Sequence, residues 1–496
     1  MGCFPVFLSS IILIAAAQVF ASDDVVTGAM KLYERRHYNE AARMLRADNA
    51  SFDQGKKGSV NLALGMIYFK DAVLHRDLYQ AAVVASQDYL KRLSAAQGPD
   101  RSRFVDLYFG EALVESGNSS AAAIHLKKFS SIESVEPRYR AIAKVSLGVN
   151  YYQNNESSMA TELWRGVDTT DPEVKAELAA AYSKAGLMDK NPSVMAEGIL
   201  SEMKRSGKPL SMRMVKNLIA IYARGPVLTE KGLDLLNRSD LKAVSYREIL
   251  GKSKVINFYD LSLLNDMATL CGRASLAHLE KAASDPKVKD AAEFYLSQAS
   301  ALFGSIEQSS KVVASFVATS QMPQQYKDRI RVWQGANLYV RNRKTDAMGL
   351  WDELARKQPD DPDLIAEILF ACSRMKIECP RVVEKAAAMV EAGESKKFSS
   401  LNIAIGKYYL GKLDHVKAVS YLEAGRDKSN KNKIESNDPV MLVNLADAYY
   451  RTKKFSEALE IYFEMSKQFP EVRQIQEAMQ GVYAIEHKSA GDVKIN

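Results

Sequence analysis

The sequence predicts an all-α chain of stacked helical hairpins, and three observations carry that prediction. The first is self-similarity at a fixed spacing, the sign of a repeat architecture. The second is proline placement: Pro99, Pro137, Pro172, Pro286, Pro323, Pro359, Pro439 and Pro470 fall between apolar periodic stretches. Proline breaks a helix interior but is tolerated in a first turn or connector, and the steps 99 to 137, 137 to 172 and 323 to 359 are nearly equal. The third is composition. The 496 residues are 47% hydrophobic and 26% charged, with only 26 Gly and 14 Pro, which excludes global disorder and favours helix over sheet. Length alone would suit several globular domains, yet arrays also grow this long by adding units.

Residues 1–21, MGCFPVFLSSIILIAAAQVFA, hold an apolar run from Val6 to Ala17, then Val19-Phe20-Ala21 ahead of Ser22. A short apolar segment ending in small residues has the pattern of a secretory signal peptide, too short to anchor by spanning. The start carries no Lys or Arg. We expect cleavage near Ala21 and a periplasmic or otherwise exported mature chain with no membrane-spanning segment.

Residues 22–187 then read as an N-terminal array. Ala29, Leu32, Tyr38, Ala41 and Leu45 form one unit. Leu64-Gly65 and Tyr68 begin another, with several inserted residues before Tyr79 and Ala82. Phe109-Gly110, Leu113, Gly117, Ala122, Leu126 and Phe129 form a third, and Gly148, Tyr151, Ala160, Trp164 and Val167 a fourth. Leu178-Ala179 and Tyr182 open a fifth that loses the frame after Gly186. Residues 188–320 keep helical periodicity, as in Leu261, Leu264, Met267, Ala268 and Cys271, and read as degenerate repeats or irregular helical pairs. Residues 321–487 restore the frame. Gly335, Leu338, Ala347, Trp351 and Leu354 are followed by Gly406, Tyr409, Ala418, Leu422 and Gly425, then by Leu445-Ala446, Tyr449, Phe455, Ala458, Tyr462, Met465 and Pro470. Residues 488–496 read as a flexible tail.

The spacing has a packing reason. Large apolar residues three and four apart line one face of a first helix. A small residue on that helix and an Ala on the second sit where the two cross, and a bulkier side chain would push the axes apart. An aromatic or Leu on the second helix fills the gap towards the next hairpin. One hairpin cannot bury its own faces, so neighbours stack. These places resemble the tetratricopeptide repeat (TPR), a unit of about 34 residues, in an exported bacterial type of protein. The resemblance implies a right-handed α-solenoid whose first helices line a concave groove.

The familiar catalytic sets do not emerge. The six histidines, His37, His75, His125, His278, His415 and His487, form no HExxH pair and no zinc spacing with cysteine. Gly251-Lys252-Ser253 resembles the end of a phosphate loop, but Tyr246 stands where its first glycine belongs. No GxSxG elbow and no GxGxxG after a strand is present. We therefore expect no enzyme, no cofactor and no metal. The net charge of +7, from 67 basic and 60 acidic residues, is too mild for a nucleic-acid footprint. The densest cationic stretches, Arg341 to Lys344 and Lys428 to Lys433, read as solvated loops. Cleavage leaves Cys271, Cys372 and Cys379. The last two flank SRMKIE and either close a small disulfide loop or stand as separate thiols.

By the resemblance, Tyr152, Gln153, Arg329, Tyr339, Lys407, Asp447, Tyr450 and Arg451 face the groove. The implied role is a non-enzymatic scaffold for protein partners, helping to assemble a cell-envelope complex for secretion, motility or polysaccharide export. The alternatives are an anionic-polymer module, with an anionic polysaccharide as partner, and a peptidoglycan- or glycan-acting enzyme with its site between residues 188 and 320.

Overall fold

The computed structural model describes residues 24–35, 37–47, 57–95, 104–226, 230–236, 261–357, 361–374, 377–392, 399–426 and 439–468. The leader 1–21, the 251–253 loop, the Lys428–Lys433 run, Pro470 and the tail 488–496 lie outside them. Twenty-two α-helices and no strand occur among the described residues. In chain order they are α1 (Asp24–Glu34), α2 (Tyr38–Ala47), α3 (Lys57–Ala95), α4 (Val105–Glu115), α5 (Ser119–Ser130), α6 (Pro137–Gln153), α7 (Ser157–Arg165) and α8 (Pro172–Lys184). Then follow α9 (Pro192–Ser206), α10 (Met212–Arg224), α11 (Glu230–Leu236), α12 (Leu261–Ala283), α13 (Lys289–Phe303), α14 (Ile306–Thr319) and α15 (Gln324–Val340). The chain continues with α16 (Lys344–Lys357), α17 (Pro362–Arg374), α18 (Pro380–Ala392), α19 (Ser399–Gly411), α20 (His415–Gly425), α21 (Pro439–Arg451) and α22 (Phe455–Gln468). No described helix is long and apolar enough to cross a membrane.

Local chemistry sets the helix ends. Pro137, Pro172 and Pro192 open α6, α8 and α9, where a missing N–H costs nothing. Asp171, Ser211, Ser305 and Asp414 cap α8, α10, α14 and α20 by accepting from the first free backbone N–H groups. The turn between the helices of a hairpin recurs too. Gly117, Asn155, Gly186, Asn342, Leu413 and Lys453 take positive φ there, each just before a residue whose N–H bonds a carbonyl five residues back.

The crossings follow the expected contact. A Cβ at Gly148 would stand 2.2 Å from the Trp164 Nε1, and one at Gly335 would stand 2.3 Å from the Trp351 Nε1. Each indole N–H donates to a first-helix carbonyl, Trp164 to Val145 at 3.0 Å and Trp351 to Val332 at 2.9 Å. Only glycine leaves room for that ring. Gly110 and Gly406 meet Leu126 and Leu422 in the same way, and Ala122, Ala160, Ala347, Ala418 and Ala458 are fully buried on the second helices.

The described chain divides into two compact units, residues 24–73 with 271–468 and residues 74–270. That division cuts across the linear segments 22–187, 188–320 and 321–487. Its cause is a split hairpin. The unit opened by Leu64-Gly65 does not resume at Tyr79 and Ala82, because α3 runs unbroken to Ala95. Its second helix comes from α12: Leu279 packs on Gly65, and the Ser275 hydroxyl donates to the Gly65 carbonyl at 2.8 Å. Ser275, Leu279 and Ala282 thus repeat the spacing of Ala418, Leu422 and Gly425, with Leu279 on Gly65 as Leu422 is on Gly406. His278 accompanies them, with Nδ1 2.8 Å from Asn61 Oδ1 and its ring stacked on Tyr68. The first unit therefore runs α1–α2, α3–α12, α13–α14, α15–α16, α17–α18, α19–α20 and α21–α22. Phe69 of α3 meets Tyr295 of α13, and Phe294 meets Tyr326 of α15.

The unit of residues 74–270 contains the hairpins α4–α5, α6–α7, α8–α9 and α10–α11. The frame lost after Gly186 has a simple cause: a 3₁₀ turn at Met188–Lys190 delays α9. Ala196, Ile199 and Met203 are then the residues it buries.

Two expectations follow. Gly335→Val forces the Trp351 indole out and should cost about 1–3 kcal/mol, read as a lower urea midpoint. His278 is held down to about 4, by burial first and then by Lys281 and Arg46. The folded state therefore binds fewer protons than the unfolded one. Stability should fall as pH drops from the unfolded value near 6.5 towards 4, by up to about 3 kcal/mol. Thermal melts across that range should show the slope shrink by about one proton in His278→Gln.

Candidate interaction groove

In the unit of residues 74–270, the first helices α4, α6, α8 and α10 bring an ion network together. Arg213 of α10 donates through Nη1 to Glu111 Oε1 of α4 and to Glu177 Oε2 of α8, both at 2.8 Å. Its Nη2 reaches Glu111 Oε2 at 3.2 Å. Ser146 of α6 donates to Glu111 at 3.3 Å, and Asn217 donates to Glu177 at 2.9 Å. The Arg213 side chain is only 6% exposed, so one guanidinium ties three first helices. Further along, Lys184 of α8 pairs with Glu115 of α4 at 2.6 Å, and Arg224 of α10 pairs with Asp266 of α12 at 2.5 Å. Asp106 takes His125 at 2.8 Å and Lys128 at 3.0 Å.

The electrostatics are those of satisfied pairs. Burial alone would raise the Glu177 and Glu115 carboxyls. Arg213 and Lys184 outweigh it, so both end below the usual carboxylate range. Burial would likewise lower Lys184, and Glu115 reverses that. These charges point at one another. They leave this stretch of first-helix surface paired internally, which the sequence frame did not reveal. Residues 111, 177 and 213 come from different hairpins and share no motif, so only the stacking unites them.

The groove candidates here are Tyr152 and Gln153. Tyr152 stacks on Trp164, with ring centroids 6.1 Å apart, while Gln153 ends α6 exposed.

In the other unit the remaining candidates make contacts within the array. Arg329 is 8% exposed and lies 3.8 Å from Asp361 and 3.7 Å from Asp363, at the start of α17. Lys407 of α19 sets its ammonium 5.3 Å from the Phe370 ring centre on α17. Tyr339 is half-buried beneath Lys344. Asp447 and Arg451 pair along α21 at 3.2 Å, and Tyr450 meets Phe455. Arg329 and Lys407 both converge on α17, from α15 and α19. Tyr339 and the α21 residues do not join them. Trp333 adds a link of the same kind, donating to Glu367 Oε1 at 2.9 Å.

Two cysteine features complete the chemistry of this unit. Cys372 and Cys379 are joined as a disulfide that ties the end of α17 to the start of α18. Both are buried in the core formed by Trp351, Leu369, Val382 and Leu401. Cys271 donates to Asp71 Oδ2 at 3.3 Å. Burial, then Asp71, pushes its thiol well above the ordinary range. A thiol so placed is a poor nucleophile.

No family model matches the chain, and no curated protein matches its sequence. Solved helical structures align over most of its length. Yeast Tom70 shares 12% identity at TM-score 0.34, over 94% of this chain and 96% of that one. The APC/C Cut9–Hcn1 hetero-tetramer shares 12% at TM-score 0.28, over 95% and 99%. The P58(IPK) TPR domain shares 12% at TM-score 0.20, over 78% and 99%. Likeness at this level adds nothing to the architecture. The Gly–Trp and Gly–Leu crossings define it as a protein of stacked helical hairpins.

Arg213→Ala should destabilise by about 3–5 kcal/mol, because it strands two buried carboxylates. The triple variant Glu111→Gln, Glu177→Gln, Arg213→Met should recover most of that loss. Urea unfolding of both proteins checks the pair.

Proposed function

We propose that this chain is an exported, non-catalytic scaffold whose helical hairpins bind protein partners during assembly of a cell-envelope complex. The observation that carries the reading is the stack itself: small residues at the crossings, as at Gly110, Gly148, Gly335 and Gly406, build successive helix faces and turns, the form used to hold other proteins. The groups placed on its first helices are paired with one another, as structural charges are. The Cys271 thiol is buried and donates to Asp71, so it is poorly placed to supply a nucleophile.

Export is supported by two independent features. Residues 1–21 have the pattern of a cleaved leader, and the Cys372–Cys379 disulfide suits an oxidising compartment.

Purification from the native cells under thiol-blocking conditions tests the export half. Intact mass and N-terminal sequencing should find a chain beginning at Ser22, with Cys271 alone labelled after denaturation. A retained Met1, or alkylated Cys372 and Cys379, removes it. Crosslinking followed by gentle purification from envelope extracts tests the scaffold half, which requires a stoichiometric protein partner.

A further inference from the structure

The hairpin turns share one backbone design, and two residues, Leu413 and Lys453, depart from its usual residue types. In α4–α5, α6–α7, α8–α9 and α15–α16 the residue at positive φ is Gly117, Asn155, Gly186 and Asn342, the types that tolerate this region. In α19–α20 it is Leu413, at φ 62°, and in α21–α22 it is Lys453, at φ 63°; of the two only Leu413 is apolar. Its neighbour Asp414 still donates to the Tyr409 carbonyl at 3.0 Å, so the turn is formed normally. A leucine there is strained, and the side chain buries little in return. Leu413 is 73% exposed, and Val416, one turn on, is 74% exposed. An apolar side chain kept at a strained and solvated position is better explained by a use than by folding.

The surroundings define that use. Turns of successive hairpins in this unit lie beside one another: Arg341 donates to the Ile306 carbonyl at 3.4 Å, and Lys412 pairs with Glu378. The edge they form carries exposed Arg341, Arg343, Lys344, Lys412, Lys417, Lys453 and Lys454. Among the described residues three carboxylates pair with them, Asp346 with Arg343, Asp414 with Lys417 and Glu378 with Lys412. Lys344, Lys412, Lys417 and Lys454 also lie over tyrosine rings. Val340, half-exposed at the end of α15, adds a second apolar point.

We propose that this turn edge, with Leu413 and Val416 as its apolar anchor, is a docking surface for a linear acidic protein segment bearing large apolar side chains. The proposal deepens the scaffold reading and rests on it. Basic side chains steer and hold the carboxylates, and the Leu413–Val416 pair supplies the area that must be desolvated for specificity.

The test is a display library of twelve-residue random peptides selected on the full-length mature chain. Recovered peptides, made with a fluorescent label, are then titrated by anisotropy. We expect enrichment in Asp or Glu together with Leu, Phe or Trp, and binding that weakens as salt rises. Leu413→Gly should weaken it at least tenfold while the melting temperature stays level or rises, since glycine relieves the turn. Leu413→Asn should behave alike, which separates lost binding from lost folding. Peptides that bind wild type and Leu413→Gly equally overturn this surface and leave the scaffold reading standing. A library that yields no binder also overturns this surface, while the scaffold reading falls only if crosslinking recovers no stoichiometric partner.

Discussion

The structure depends on close approach at the helix crossings. Where Gly148 or Gly335 faces a tryptophan, the first-helix backbone becomes part of the binding site for the indole: the ring lies on the glycine and its N–H finds a carbonyl one turn earlier. The buried ring gains area at about 25 cal/mol per Å², and its one polar atom is satisfied. Leu126, Leu279 and Leu422 make the aliphatic version of that contact. Stacking follows because each hairpin still has an apolar face left, which Phe294, Tyr295 and Tyr326 cover between neighbours.

Much of this was legible in the sequence because it is local. Gly335, Ala347 and Trp351 lie within one repeat, so a fixed offset reports a physical contact. Turn residues were legible for the same reason: Gly117 and Gly186 stand where the chain needs positive φ. The frame failed where a contact ceased to be local. Gly65 looked like the start of a unit with a short insertion, and α12 looked like part of a degenerate middle. Neither half could be understood without the other, and no offset connects residues 200 apart.

The candidate groove was legible only in part, and electrostatics explain why. Tyr339, Lys407 and Arg451 were placed by their helix position, which tells where a side chain starts but not which neighbour claims it. Arg329 illustrates the difference: its guanidinium lies near Asp361 and Asp363 of the next hairpin. The Arg213 network was invisible for a related reason. Glu111, Glu177 and Arg213 come from separate hairpins, and a charged residue on a helix reads first as solvated. Buried together, they exchange hydration for one another, which makes the set costly to break one member at a time.

The split hairpin also constrains how the chain folds. In an ordinary unit the crossing closes between residues close in sequence, as with Trp164 and Val145, 19 apart. Between Ser275 and Gly65 the separation is 210. Loop-closure entropy grows as the logarithm of length, so the longer closure costs about 2 kcal/mol more if the intervening chain is unstructured. Residues 74–270 form a compact unit with their own hairpins, and its prior folding shortens the effective loop. Contacts that hold that unit together therefore lower the entropy cost of the Gly65–Leu279 crossing. Weakening the Arg213 network would then slow closure of a hairpin built from α3 and α12, through the chain entropy of the longer effective loop.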